Sequence, residues 1–204
     1  MTTTKTISRE SAPGGFTDEF GPLVRVHAEL GRFRLGPTRV KRARANLAEG
    51  RVAFDPNDVL RAAGDLDANL ARVATAFEMC GLASERELES FRKGYAIAQP
   101  LLKSWLVGER SSSDPGRRLA LRAAALMGNA ILRSAAALVA KGVAFDAWQR
   151  ATCPCCGGAP DLAIRDRERK LVCSRCDTQW LAPTTGCLGC EATRPPTFVR
   201  VDAL

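Results

Sequence analysis

The sequence predicts a mainly α protein, with an N-terminal helical bundle followed by a small Cys-rich β module. Two observations support this fold class. Apolar residues recur at three- and four-residue steps between residues 55 and 141, which is typical of amphipathic helices. Three Cys-x-x-Cys pairs then follow in a segment with too few apolar residues to form a core. We therefore divide the chain into a disordered leader (1–22), a helical domain (23–150) and a metal-binding module (151–204).

Capping signals set the helix boundaries. Asp55 and Pro56 predict the start of one helix, and the capping box of Ser84 and Glu87 predicts the start of the next. Pro100 should kink that second helix or break it in two. The predicted helices span residues 38–48, 56–80, 85–105, 115–141 and 145–150. Because no flexible linker follows residue 150, we expect the metal-binding module to pack rigidly against the bundle.

The first two cysteine pairs predict a metal site. Cys153 with Cys156, and Cys173 with Cys176, stand at the spacing C-x2-C-x16-C-x2-C. This spacing is typical of four thiolates that hold one zinc or iron ion. Alternating apolar residues between the pairs predict a hairpin that carries one pair at each end, stabilised by the metal in place of a core. A redox Cys-x-x-Cys would normally open a helix of a βαβ unit, which is missing here.

The other cysteines are harder to assign. Cys187 and Cys190 form a third pair with no fourth, so they are a candidate second or shared half-site. They replace one of the earlier pairs as metal ligands, or form half of a site that another chain completes, or remain a free dithiol. We interpret Cys155 as a small turn residue that points away from its neighbours, and Cys80 as a buried apolar residue. Four sulfurs do not distinguish iron from zinc.

Basic residues concentrate between residues 25 and 51, where eight Lys or Arg accompany two Glu in a chain of net charge +8. Such a cluster attracts nucleic acid or an acidic protein surface, or is simply a solvated arm. The candidate partner-binding residues are Arg39, Lys41, Arg42, Arg44 and, in the module, Trp180. No residue suggests catalysis: the one histidine, His27, lies among arginines. We therefore expect a protein that is not an enzyme.

We expect neither a secretory signal nor a membrane span. Residues 1–23 contain no apolar h-region. The most apolar stretch, residues 119–140, is interrupted by Arg122, Asn129 and Arg133, which a bilayer would penalise. The eight cysteines are most simply reduced thiolates that bind metal. These observations predict a cytoplasmic location.

The order of parts resembles the formate dehydrogenase accessory protein family, FdhE. The resemblance is carried by Cys-Pro-x-Cys-Gly-x-x-Pro at 153–160, Cys-x-x-Cys-x-Thr-x-Trp at 173–180 and Cys-x-x-Cys at 187–190. It implies a rubredoxin-like or zinc-ribbon module and a cytoplasmic, non-enzymatic maturation factor. It also implies iron bound by the thiolates, and contact with the catalytic subunit of a molybdenum- or tungsten-dependent formate dehydrogenase. Full-length relatives carry a fourth Cys-x-x-Cys, so we expect the second module here to be incomplete.

Three functions remain open at this point. The first is a metal-binding accessory protein that docks on a formate dehydrogenase subunit. The second is a basic zinc-ribbon protein that binds nucleic acid, although aromatic residues for base stacking are scarce near the cysteines. The third is a dithiol redox or sulfur-handling protein that uses Cys187 and Cys190, or Cys155.

Overall fold

The computed structural model describes residues 19–165 and 169–182. Cys187 and Cys190, and residues 1–18 of the predicted leader, lie outside the described residues. Within that part of the chain, seven helices precede one three-stranded sheet, which confirms the predicted fold class. The helices are α1 (Gly21–Leu30), α2 (Pro37–Ala48), α3 (Pro56–Arg61), α4 (Leu66–Met79), α5 (Glu85–Gly94), α6 (Ala98–Leu106) and α7 (Pro115–Ala140). The strands are β1 (Pro160–Arg165), β2 (Arg169–Cys173) and β3 (Gln179–Leu181).

Helix α7 lies at the centre of the helical domain and contacts the other helices on several sides. The carboxylate of Asp114 caps its first turn by accepting a hydrogen bond from the backbone N of Arg117 at 2.7 Å. Leu119, Met127 and Leu132 along its length are fully buried. By length and composition alone α7 could cross a membrane, but 56% of its most apolar stretch is buried inside this domain.

The predicted helix over 56–80 is two helices, α3 and α4. The chain turns at Gly64, whose φ of +87° is a left-handed conformation that favours glycine. Asp65 then caps α4, because its carboxylate accepts a hydrogen bond from the backbone N of Ala68 at 3.0 Å. The apolar period continues across this break, which is why the sequence pattern did not reveal it.

The second predicted helix begins as expected and then divides. The capping box is confirmed: the backbone N of Ser84 donates to the Glu87 carboxylate at 3.0 Å, and the backbone N of Glu87 donates to Ser84 Oγ at 3.3 Å. The backbone hydrogen bond from Ser84 holds the pKa of Glu87 below its usual value. The break follows Gly94, and Pro100 lies in the first turn of α6. A proline there forfeits no hydrogen bond within the helix.

Residues 145–150 contain one turn and no helix, so the predicted short helix at this position is wrong. A single turn is closed by the backbone N of Trp148, which donates to the Phe145 carbonyl at 3.0 Å. The indole Nε1 of Trp148 donates to the Thr152 carbonyl at 2.8 Å. The Trp148 side chain is buried, so this segment is anchored by one aromatic ring and needs no helix.

The three strands form an antiparallel sheet in the order β1-β2-β3, and the β1–β2 pair is the hairpin that the sequence predicts. Cys173 at the end of β2 lies opposite Pro160 at the start of β1. Leu171 and Trp180 are cross-strand partners, and their side chains are only 1% and 2% exposed. The sheet thus encloses very little apolar surface next to its cysteines.

Two glycines of α7 allow close contact with neighbouring helices. A Cβ placed on Gly116 would lie 2.6 Å from the Ser90 carbonyl carbon and 2.7 Å from the backbone N of Phe91. A Cβ on Gly128 would lie 2.3 Å from the ring of Trp105. Both distances are shorter than van der Waals contact, so α5 and α6 pack on α7 at positions where no side chain fits.

We expect Gly116→Ala to lower the free energy of unfolding by about 1–3 kcal/mol, because the backbone of α5 must move. In an isolated helix, replacement of glycine by alanine would instead stabilise the helix by up to about 1 kcal/mol. Gly94→Ala at the end of α5 is the matched control, since a Cβ there meets nothing within 4 Å. Urea unfolding of the three proteins measures the difference. Equal stabilities for both variants would contradict the proposed close packing.

Candidate metal centre

Four cysteine sulfurs converge between the two turns that flank the β1–β2 hairpin. The Sγ atoms of Cys153, Cys156, Cys173 and Cys176 all lie within 4.8 Å of one another. The distance is 3.6 Å between Cys153 and Cys176 and 3.4 Å between Cys156 and Cys173. Tetrahedral coordination with metal–sulfur bonds of about 2.3 Å gives sulfur–sulfur distances of about 3.8 Å. The group therefore has the size of a site for one metal ion.

All four side chains are buried, with exposed fractions of 0–3%. An all-sulfur donor set of this geometry suits zinc or iron and does not choose between them. No other group of His, Cys, Asp and Glu side chains with metal-binding geometry occurs among residues 19–165 and 169–182. The first two pairs of the sequence pattern are thus brought together as predicted, whereas Cys187 and Cys190 lie outside the described residues.

The two cysteine turns share one backbone conformation. The backbone N of Gly157 donates to the Cys153 carbonyl at 2.9 Å, and the backbone N of Asp177 donates to the Cys173 carbonyl at 3.2 Å. Gly157 and Asp177 both have left-handed φ angles, +69° and +56°. Asp tolerates this region better than most residues with a side chain. The second turn therefore reproduces the first although it lacks the glycine.

The carboxylate of Asp177 attaches the second turn to helix α7. It accepts a hydrogen bond from Asn129 Nδ2 at 3.1 Å and pairs with Arg133 Nη1 at 3.4 Å. Asn129 Oδ1 in turn lies 3.1 Å from His27 Nε2 on α1. His27 is therefore a link between helices and not a member of the sulfur site. A glycine at position 177 would relieve the backbone strain but would remove these contacts.

The first turn is attached to the helical domain through its backbone. The backbone N of Ala53 donates to the Pro154 carbonyl at 2.9 Å, and the backbone N of Phe54 donates to the Cys155 carbonyl at 3.1 Å. These residues belong to the connection between α2 and α3. Each cysteine turn is thus hydrogen-bonded to a different part of the helical domain, and the site is fixed from two sides.

Several donors face the sulfurs of the second turn. The backbone N of Arg175 lies 3.4 Å from Cys173 Sγ, and Thr178 Oγ1 lies 3.1 Å from Cys176 Sγ. The Arg175 guanidinium donates to the carbonyl of Leu106, at the end of α6, at 2.5 Å. Its Nε is buried, and none of the described residues accepts a hydrogen bond from it. Four thiolates around a divalent ion would carry net negative charge, which the half-buried guanidinium of Arg175 would offset in part.

Arg175 also lies close to the sulfurs in space. A Cβ placed on Gly158 would lie 3.1 Å from Arg175 Cδ, 3.0 Å from Cys173 Sγ and 3.3 Å from Cys156 Sγ. Gly158 therefore leaves room for the arginine stem beside two of the four ligands. Sequence reasoning missed this role, because nothing in Cys-Ser-Arg-Cys indicates the direction of the side chain.

Cys155 does not point away from its neighbours, contrary to the sequence interpretation. Its side chain is buried in the first turn, and a hydrogen bond with Cys153 raises the pKa of the Cys155 thiol. The same contact lowers the pKa of Cys153. Cys155 lies outside the group of four that matches one ion, in keeping with its interpretation as a turn residue and not a ligand.

The predicted partner-binding residues fall into two groups. Arg44 donates to three carbonyls at the end of α7 at 3.0–3.2 Å, so it caps that helix. Trp180 is 2% exposed, and its Nε1 donates to the Arg150 carbonyl at 3.1 Å. A buried indole offers no ring to a partner. The remaining candidates are exposed on α2: Arg39, Lys41 and Arg42.

No protein-family model and no curated protein matches the chain. Among solved structures, the chain is similar to the FdhE protein from Pseudomonas aeruginosa, with 24% sequence identity and a TM-score of 0.49. The alignment covers 91% of this chain and 66% of that chain, so this chain spans slightly less than two thirds of that protein.

We expect Cys173→Ser to abolish binding of the ion at the four-sulfur site, because three thiolates and a hydroxyl form a much weaker donor set for zinc or iron. Cys155→Ala is the matched control and should retain the ion, since its thiol is not a ligand. Elemental analysis and visible spectra of anaerobically purified protein measure content and identity. Loss of the ion in Cys155→Ala to the same degree would contradict the assigned ligand set.

Arg175→Met should weaken retention of the ion against a competing chelator by about tenfold or more, because the offsetting charge is lost. Arg175→Lys keeps a positive charge and should retain more of the affinity. Arg86→Met, at an exposed position on α5, controls for the general loss of one arginine. If the Lys and Met variants lose the ion equally, the hydrogen bond to Leu106 matters and the charge does not.

Proposed function

We propose that this chain is a metal-binding accessory protein that docks on the catalytic subunit of a formate dehydrogenase and supports its activation. The observation that carries the accessory role is the closed site formed by Cys153, Cys156, Cys173 and Cys176. The identity of the partner rests on the cysteine motifs at 153–160, 173–180 and 187–190, which resemble those of the FdhE family.

A four-sulfur site leaves no coordination position for water or substrate. Catalytic zinc sites usually have three protein ligands and one open position, whereas structural sites are closed by four. With zinc, such a site stabilises the module; with iron, it can also accept or donate one electron. Both possibilities suit a protein that acts on another protein and does not bind a substrate at its metal.

The attachment of the module supports docking as a rigid body. Hydrogen bonds from Ala53 and Phe54 fix the first turn, and contacts from Asn129 and Arg133 fix the second. A partner that binds both the helices and the module then has little interdomain motion to restrict, which lowers the entropic cost of association. We place this interaction in the cytoplasm, where reducing conditions keep the cysteines available for metal.

The described residues do not support the two other hypotheses, nucleic-acid binding and dithiol chemistry. Binding of single-stranded nucleic acid would call for exposed aromatic rings, and Trp180 is buried. Dithiol chemistry at Cys155 would call for an accessible thiolate, whereas this thiol is buried and its pKa is raised. We therefore propose the accessory function alone.

The test is capture of the partner by the tagged full chain, purified anaerobically from cells that express a formate dehydrogenase. We expect the wild-type chain and Cys155→Ala to retain the catalytic subunit, identified by mass spectrometry. Cys173→Ser should lose it because the metal module no longer folds. A chain that keeps its ion yet captures no oxidoreductase subunit would overturn the proposal, as would capture by Cys173→Ser at the wild-type level.

Deletion of the gene should also lower formate dehydrogenase activity in extracts without lowering the amount of the catalytic subunit. Complementation with wild type, Cys155→Ala and Cys173→Ser then separates activation from expression. Unchanged specific activity after deletion would contradict a role in activation while leaving capture of the subunit as a separate result.

A further inference from the structure

Two open cavities of the helical domain meet at Arg34. The first, about 490 Å³, lies between α1 and α7, and the second, about 480 Å³, lies at the connection from α1 to α2. Arg34 lines both, so the two depressions adjoin at this residue. We call them together the arginine groove, defined by its charged or polar walls at His27, Arg34, Arg39 and Arg133 and by its floor at Ala130 and Ala137.

The charged side chains that line the arginine groove are all arginines. None of the described residues that line either cavity is Asp or Glu. Arg34 Nη1 donates to Ser134 Oγ at 3.3 Å and to the Phe33 carbonyl at 3.1 Å, which holds the guanidinium against the groove wall. In the described part of the chain, neither Arg34 nor Arg39 forms a salt bridge. Their charges therefore attract an anionic group from outside.

The floor of the groove has room for a polypeptide backbone. Gly31, Ala130 and Ala137 contribute no side chain larger than a methyl group, and Ala137 is exposed. A small floor with cationic walls suits an extended segment whose carboxylates reach the arginines, as in other recognition of acidic motifs by arginine clusters. Arg133, which also lines the first cavity, pairs with Asp177 of the second cysteine turn, so the groove lies beside that turn.

Nucleic acid fits the groove less well. Proteins read duplex DNA with a protruding helix or ribbon, whereas this surface is concave. Single strands are held by stacking on aromatic rings, and the lining contains only Phe33 and His27. Phe33 is half-buried, and the His27 ring is hydrogen-bonded to Asn129.

We propose that the arginine groove binds an extended acidic segment of the polypeptide on which this chain docks, and this inference rests on the proposed function for the partner's identity. The carboxylates of the segment pair with Arg34 and Arg39, and its backbone lies over Ala130 and Ala137. Because Arg133 lines the groove and pairs with Asp177, the bound segment lies next to the second cysteine turn. One partner thereby contacts both parts of the chain.

The direct test uses the metal-loaded full chain and a fluorescein-labelled octaglutamate peptide, with binding followed by fluorescence anisotropy at low salt. Reversal of two charges in Arg34→Glu/Arg39→Glu should weaken binding by about tenfold or more. Arg86→Glu/Lys103→Glu makes the same change of net charge at exposed positions outside the groove and should have little effect. Ala137→Trp changes no charge, fills the floor and should also weaken binding severalfold.

Three outcomes would overturn the groove assignment. The first is an equal loss of peptide affinity in Arg86→Glu/Lys103→Glu, which would show that the net charge of the protein and not the groove attracts the peptide. The second is unchanged binding by Ala137→Trp, which would place the peptide elsewhere or show that a terminal segment of this chain occupies the groove. The third is tighter binding of an octanucleotide single strand that the same groove variants abolish, which would indicate nucleic acid.

Partner capture separates this inference from the proposed function. If wild type and Arg34→Glu/Arg39→Glu both capture the formate dehydrogenase subunit, the proposed function stands and the groove is not its docking site. If wild type captures no such subunit while octaglutamate binding depends on Arg34, Arg39 and Ala137, the groove stands and the proposed partner is wrong.

Discussion

Convergence of four cysteine sulfurs is the constraint on which the C-terminal part of this structure depends. Between the two cysteine turns the sheet buries few large apolar side chains, notably Leu171 and Trp180. Burial of two such side chains is a small hydrophobic contribution for a module of this size. Folding of the module would therefore depend on an ion bound by the four sulfurs.

The same closure determines how the module attaches to the helices. Cys153 and Cys156 carry the turn that Ala53 and Phe54 bind, and Cys173 and Cys176 carry the turn that α7 binds through Asp177. An ion held by the four sulfurs would join these two turns, and with them the α2–α3 connection to α7. Asp177 has a left-handed backbone conformation, which is unfavourable for a residue with a side chain. Its carboxylate compensates by contacting two residues of α7.

Local signals in the sequence were enough to predict part of this structure. The spacing of Cys153, Cys156, Cys173 and Cys176 predicted the ligand set, and Asp114 with Pro115 predicted the start of α7, because capping and metal spacing act over a few residues. The break at Gly64 was hidden by an apolar period that continues across it. Gly64 and the following Asp65 are helix-end and helix-start signals, and at this position they are better guides to the helix boundaries than the apolar spacing.

Contacts between distant segments could not be predicted. Asn129 and Arg133 stand one helical turn apart in an apolar helix, and the sequence showed them only as interruptions that a bilayer would penalise. Their partner is Asp177, far along the chain. A polar pair at this spacing is a signal that an apolar helix receives another element there. The burial of Trp180 was equally invisible, because its partner Leu171 is on the neighbouring strand.

The basic segment shows how a structure divides charges that look equivalent in a sequence. Arg44 uses its guanidinium inside the molecule, at the carbonyls that end α7. Arg34 is held in place by neutral oxygens and Arg39 is exposed, so both retain their charge. Neighbouring like charges disfavour the isolated protein slightly and favour an anionic partner. The arginine groove is a surface of this kind, and Arg133 in its wall pairs with Asp177 of the second cysteine turn.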